Sequence, residues 1–345
     1  MENRLLTMAF VVAMLLPTTS SLASNWADEQ RYPEMAESKQ ICRTFIHATP
    51  PEGDRPDKKG LETLQECDAE SLYYGIDQPA DPVAARACAF AREDGPFTGA
   101  VMLMTIYANG VGAKRNLDVA IALACTTLDD SAAAIDGRVK HLYRLRQQNW
   151  QGNDFSWCDD VTSGVAQGQC AMHDERVGQE QRDTQLATLA DAWRTGPSAD
   201  RFRLLQASVE AFIDRRTGEE IERSGTAQLA MVVGEESQLR QQFVNDLKGF
   251  VDGKPPCAGA ERDRDADARL NAAYRTIQRI PEAQFSENWR TVKQDGIKRT
   301  ELAWLKYRDA WVAFLATADQ NISREAVVNW LTLRRLKQLE EFTGE

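Results

Sequence analysis

The chain has 345 residues, of which 43% are hydrophobic and 27% are charged, a balance that is ordinary for a globular protein. Its formal net charge is −11, with 41 Lys or Arg against 52 Asp or Glu. Because nucleic-acid phosphates attract basic surfaces, this acidity argues against a nucleic-acid partner. A basic protein would be attracted, although an acidic surface that only aids solubility is the commoner case.

Residues 1–23 have the pattern of a secretory signal peptide. Arg4 supplies the positive start, an apolar run follows from Leu5 to Leu16, and Ser21 and Ala23 are small residues before a cleavage point. The apolar run is shorter than the about 20 residues that span a bilayer core. We therefore expect a periplasmic or secreted protein without a membrane anchor after cleavage, long enough for two or three domains.

From residue 72 the sequence becomes repetitive. Asp81 and Asp118 are 37 residues apart, as are Cys88 and Cys125. A fixed period with glycine turns and an Ala-rich second helix is typical of a helical-hairpin solenoid. Residues 99–120 resemble a Sel-one-like repeat, and we assign residues 24–150 to a region of such repeats. The repeats would serve as a protein-binding scaffold or as a cap on the next domain, and the sequence leaves both open.

Seven cysteines in an exported chain are expected to be mostly paired. Three disulfides are predicted: Cys88–Cys125, Cys158–Cys170 and Cys42–Cys67. The first follows from equivalent positions in successive repeats, the second from a short loop, and the third from elimination. Cys257 lies outside this scheme. No two cysteines form a Cys-x-x-Cys and the three histidines are far apart, so we expect no metal site.

Residues 151–255 are predicted to be helical. One helix ends at Gly196 and Pro197, a second begins at Ser198, and a long helix covers about residues 226–253. Adjacent acids on a helix point in different directions, so the pairs at 219–220 and 235–236 are interpreted as solvated faces. His173 is interpreted as a surface or capping residue.

No motif of catalytic quality is found. The Gly-x-Ser-x-Gly and His-Glu-x-x-His patterns, a P-loop and a dinucleotide-binding glycine run are all absent from the sequence. We therefore assign no catalytic residue and no cofactor, and we predict that the chain is not an enzyme.

Two further helices are predicted near the C terminus. Leu270, Tyr274 and Ile277 recur at helical spacing in the first, and Leu302 and Leu305 do so in the second. Each helix therefore has one apolar stripe to bury, and the pair is predicted to form an antiparallel hairpin.

These two helices resemble the LprI-like lysozyme inhibitor family of bacterial envelope proteins. The signature residues are Leu270, Asn271, Tyr274, Ala303, Trp304, Tyr307, Arg308 and Asp309, followed by a tail with Leu331, Thr332, Arg335 and Leu339. We assign residues 256–345 to this module, and the order of helices in residues 151–255 favours a diverged first copy. The chain departs from the family at Glu301 and Leu302, where Gln and Arg are usual, and at Val312, where Cys is common.

The resemblance implies an all-α, disulfide-stapled, exported protein that binds a lysozyme or another peptidoglycan-cleaving enzyme and so protects the cell wall. Such lysozymes are basic and have an acidic catalytic cleft. An envelope scaffold for another protein is the alternative, and a cell-wall hydrolase is less favoured. Tyr274, Trp304 and Tyr307 are interpreted as packed core, and Arg308 is expected to reach a carboxylate on the other helix.

The acidity is unevenly distributed along the chain. Residues 257–345 hold 15 Lys or Arg against 14 Asp or Glu, and Glu2 and Arg4 cancel within residues 1–23. The segment between them therefore carries the whole of the net negative charge. If the signature module recognises the partner, binding should depend only weakly on salt.

Overall fold

The computed structural model describes residues 25–64, 66–127, 130–318 and 321–343, so the predicted signal peptide lies outside the described residues. Over these ranges the fold is all-α, as predicted, and no strand is formed. The helices are α1 Ala36–Phe45, α2 Lys58–Thr63, α3 Ala69–Tyr74, α4 Pro82–Ala91, α5 Gly99–Asn109, α6 Leu117–Thr126, α7 Ala132–Gln147, α8 Gly164–Ala190, α9 Pro197–Glu219, α10 Gln228–Val251, α11 Ala266–Arg279, α12 Glu282–Asn288, α13 Gln294–Ala318 and α14 Arg324–Glu340. In the described part of the chain, no helix combines the length and the apolar content needed to cross a bilayer.

Two helical hairpins, α3–α4 and α5–α6, follow one another along the chain. Gly75 and Gly110 end their first helices with φ angles of 76° and 67°, which glycine adopts without strain. Asp81 and Asn116 cap the second helices with their side chains. The structural repeat is therefore 35 residues and not 37, because Asn116, and not Asp118, occupies the cap position.

Three disulfides lie in this part of the chain: Cys42–Cys125, Cys67–Cys88 and Cys158–Cys170. The pairing of Cys158 with Cys170 is the predicted one, whereas Cys42–Cys67 and Cys88–Cys125 are wrong. With a repeat of 35 residues, Cys88 is equivalent to Leu123 and not to Cys125, so the two cysteines face different neighbours. Cys88 bonds to the segment just before α3, and Cys125 bonds to α1, which packs on α6.

The buried side chains form two clusters. The front core contains residues between Trp26 and Cys170, from α1 to the start of α8. The rear core contains residues between Phe202 and Phe342, from α9 to the C-terminal turn. Helix α8 connects them, because Ala166 near its start belongs to the front core and Leu186 near its end packs against the rear core.

Trp311 of α13 lies at the centre of the rear core and is fully buried. Five aromatic rings have their centroids within 6.5 Å of it, those of Phe243, Phe250, Tyr307, Phe314 and Trp330. Helix α13 packs mainly on α9, and α11 packs mainly on α14. The predicted hairpin of α11 and α13 is therefore not a simple pair, because α12 intervenes and each helix has another main partner.

Candidate protein-binding groove

The two halves of the predicted signature meet at a groove between α11 and α13, which we call the signature groove. Its lining residues are Asp267, Leu270, Asn271 and Tyr274 of α11 and Lys298, Glu301, Leu302, Trp304, Leu305 and Arg308 of α13. The groove has a volume of about 240 Å³. This is below the range of about 300–1,000 Å³ that is usual for small-molecule sites, so the groove suits an inserted side chain better than a whole ligand.

The signature residues divide into buried and exposed ones. Leu270, Trp304 and Tyr307 belong to the rear core, and Trp304 is only 2% exposed. Tyr274 is half-buried on the groove wall, and Asn271 is exposed. The amide of Asn271 donates hydrogen bonds to the backbone oxygen and the carboxylate of Asp267, at 2.7 and 3.0 Å, which fixes both side chains on the surface of α11.

Arg308 does not reach the other helix as expected. Its guanidinium lies over the Trp304 ring, 5.3 Å from the ring centroid, and its Nη2 donates to Asp309 Oδ1 at 3.0 Å. The long arginine side chain turns back along α13 to its neighbour, so the carboxylate that it pairs with lies on its own helix. The stacked Trp304–Arg308 pair lies at one end of the groove and combines an apolar ring with a charged group.

Two titratable groups that line the groove have raised pKa values, which favours their neutral forms. Burial, together with the carboxylates of Glu301 and Asp295, raises the pKa of Tyr274. Burial also raises the pKa of Glu301, although Arg335 opposes the shift. The phenol of Tyr274 is therefore a hydrogen-bond donor at neutral pH.

A buried network of ion pairs lies behind the groove. Arg335 of α14 donates to Glu301 Oε2 at 2.9 Å and to Glu220 Oε1 at 2.6 Å, and the Arg335 and Glu220 side chains are fully buried. Arg216 of α9 donates to Glu220 Oε2 at 3.0 Å and to Glu235 Oε1 at 2.9 Å. The interpretation of the adjacent acids as solvated faces is therefore wrong for Glu220, which two arginines hold in the interior.

This network was missed because its members are far apart in the sequence. Glu220 and Arg335 are separated by 115 positions, and no local spacing connects them. The available signal was Arg335 itself, which lies at helical spacing between the apolar residues Leu331 and Leu339. Buried arginines require carboxylate partners, so Arg335 could have been predicted to recruit an acid from another helix.

His173 also departs from expectation. It is 7% exposed, its ring stacks on Phe97 with centroids 4.0 Å apart, and its Nδ1 lies 2.6 Å from Glu70 Oε1. It therefore belongs to the packing between α8 and α3 and is neither a surface residue nor a cap. In the described ranges, no three His, Cys, Asp or Glu side chains are grouped so that they could hold a metal ion.

The fold is all-α, and its candidate binding surface is the signature groove, which is lined by the buried Trp304 and the largely buried Arg308. Comparison with protein-family models matches residues 256–339 to the family of lysozyme inhibitor LprI, in one copy. Comparisons with curated proteins and with solved structures find no match for the chain. The likeness of residues 24–150 to Sel-one-like repeats and of residues 151–255 to a first LprI copy stays a prediction.

The matched residues form only part of the rear core. They include α11 to α14, whereas α9 and α10 precede the match and supply Arg216, Glu220 and Phe243 to the same interior. The most extensive helix contact of the rear core joins α13, inside the match, to α9, which precedes it. A fragment that begins at residue 257 would therefore keep only Arg335–Glu301 of the four ion pairs in the buried network described above, and it would lose a large part of its core.

Proposed function

We propose that this chain is an exported protein-binding module that inhibits a lysozyme or a related peptidoglycan-cleaving enzyme. The observation that carries the proposal is the position of the family match. It covers both helices of the signature groove, and it does so in a region where signature residues and an exposed apolar side chain share one surface.

The groove has the composition of a protein-contact hot spot. Leu302 is 55% exposed and lies on the same wall as the Trp304–Arg308 stack. Trp, Tyr and Arg are the residue types that most often dominate binding free energy at interfaces, and an exposed apolar neighbour excludes water from them. A side chain of the partner would insert between Tyr274 and Leu302.

Electrostatics give the two parts of the chain different roles in this proposal. The groove carries Lys298 and Arg308 against Asp267 and Glu301, so its own charges balance. The net negative charge lies upstream of the matched module, and it would attract a basic lysozyme from a distance. Steering of this kind raises the association rate, and the contacts in the groove provide specificity.

The test uses the full chain in an assay of peptidoglycan lysis by lysozyme. Leu302→Glu places a charge in the groove, and we expect it to weaken inhibition by about 10–100-fold, as the loss of a hot-spot contact does. Leu204→Glu is the matched control, because Leu204 is similarly exposed, at 58%, on α9. Equal inhibition by the two variants would exclude the groove as the binding surface.

The alternatives predict different outcomes in the same assay. An envelope scaffold would leave lysis unchanged, and the chain would bind an unrelated basic protein as tightly as lysozyme. A hydrolase would lyse peptidoglycan in the absence of lysozyme. Inhibition of lysozyme without lytic activity, and without equal binding to the unrelated protein, is the result that the inhibitor proposal requires.

A further inference from the structure

A second cavity lies outside the residues that match the family. Helices α8 and α9 both pack on α10, and between them they leave a cleft of about 470 Å³. This volume lies within the range of about 300–1,000 Å³ that small-molecule sites occupy. The cleft shares no lining residue with the signature groove, so its occupant is independent of the proposed inhibitor function.

The bottom of the cleft is apolar. Val209 and Ile213 of α9 and Phe243 and Val244 of α10 line it, and each of them is at most 4% exposed. Leu186 of α8 completes the apolar wall. This surface can remove the hydrocarbon part of a ligand from water, which is the main source of affinity in such sites.

The charged groups around the cleft have a negative surplus. Glu175, Asp183 and Glu210 line it, against Arg182 and Arg240. Both arginines already have carboxylate partners, since Arg182 pairs with Glu175 and Arg240 lies 3.3 Å from Glu210. An anionic ligand would have to displace these pairs, whereas a cationic ligand would add to the carboxylates and offset the surplus.

One carboxylate oxygen at this site lacks a hydrogen-bond donor among the described residues. Glu175 Oε1 pairs with Arg182, but Glu175 Oε2 is buried and accepts no hydrogen bond from any described residue. A buried acceptor that stays unsatisfied is unfavourable, so a ligand that brings an N–H group to it gains binding free energy.

We propose that the cleft binds a small organic cation, an alkyl or aryl ammonium, with its apolar body on Val209 and Phe243 and its ammonium group paired with Glu175. The class of ligand follows from the combination of an apolar floor, a negative surplus and an unsatisfied carboxylate oxygen. The partly exposed carboxylate of Glu210 lies at the same cleft and favours the same charge.

The experiment is calorimetric titration of the full chain with hexylamine, hexanol and hexanoate, which share one hydrocarbon chain and differ in charge. Hexylamine is expected to bind at least about tenfold more tightly than either analogue, since it alone brings a charged hydrogen-bond donor to the carboxylates. Glu175→Gln should weaken hexylamine binding by a similar factor. Glu180→Gln, an exposed change on the same helix, should leave it unchanged.

A second variant separates loss of the site from loss of the fold. Gln206→Trp fills the cleft from α9 without changing its charge, and it should abolish hexylamine binding while the melting temperature stays within a few degrees of that of the wild type. The proposal is overturned if hexanoate binds as tightly as hexylamine, if hexylamine does not bind, or if Glu175→Gln and Gln206→Trp both bind it with wild-type affinity.

Discussion

The front core and the rear core are stabilised in different ways. All three described disulfides lie in the front core, where small side chains such as Ala85 and Ala124 allow the helices to approach closely. The rear core is built around the rings that surround Trp311 and the buried pairs of Arg335. Among the described residues, the front therefore has covalent links in addition to packing, whereas the rear has packing and ion pairs without a disulfide.

This difference indicates how the two parts should respond to their surroundings. Disulfides persist only in an oxidising compartment, so the front core suits an exported protein. The rear core, which carries the family match, has no disulfide among its described residues and should tolerate reduction. A reducing agent that lowers the stability of the front and leaves the rear folded would sharpen this contrast.

The largest effect is expected from removal of the long-range disulfide in the front core. Replacing Cys42 and Cys125 together by Ala opens a loop with a sequence separation of 83. In the chain-entropy model a loop of this length stabilises the fold by about 4–5 kcal/mol. Denaturant unfolding followed by circular dichroism would measure the loss. The double change at Cys158 and Cys170, with a separation of 12, is the control and should cost about 3 kcal/mol.

A loss of comparable or slightly smaller size is expected in the rear core from Arg335→Met. It leaves Glu301 without its cationic partner and Glu220 with Arg216 alone, and an uncompensated buried charge costs about 3–5 kcal/mol. Adding Glu301→Gln to this variant removes the orphaned charge and should recover most of the stability. If the double variant is as unstable as Arg335→Met, packing and not charge is the reason for the loss.

The smallest effect is expected from Glu301→Gln, which replaces the carboxylate by an amide of similar size and can keep a hydrogen bond to Arg335. The change in stability at neutral pH should be within about 1 kcal/mol, as for a single exchanged hydrogen bond. Its sign depends on pH. Burial raises the pKa of Glu301 above its ordinary value of 4.5, so the folded protein binds this proton more tightly than the unfolded chain.

The wild type should therefore lose stability relative to Glu301→Gln as the pH rises from 4.5 through the raised pKa, and the difference should be constant above it. Thermal melts of both proteins across this range would measure the difference. A wild type that gains stability relative to Glu301→Gln over this pH range would show that the pairing with Arg335 outweighs burial.

The sequence was sufficient for the features that depend on local pattern. Apolar periodicity, glycine ends such as Gly75 and Gly110, and the signature from Leu270 to Asp309 predicted helices that the structure contains. Features that depend on register or on distant partners were not predictable. The structural repeat is 35 residues and not 37, so Cys88 and Cys125 are not equivalent positions and have different neighbours. The pairing of Glu220 with Arg335 joins residues 115 positions apart, and no local spacing in the sequence connects them.

The central claim is that lysozyme is recognised at the signature groove and that the net negative charge of the residues upstream of the match only assists this binding. Hydrogen–deuterium exchange of the full chain, with and without lysozyme at physiological salt, tests this claim most directly. We predict that lysozyme slows exchange in residues 267–274 and 298–308, which line the groove, and leaves exchange in the front core unchanged. Protection confined to the acidic residues upstream of the match, with none in these two segments, would contradict the claim.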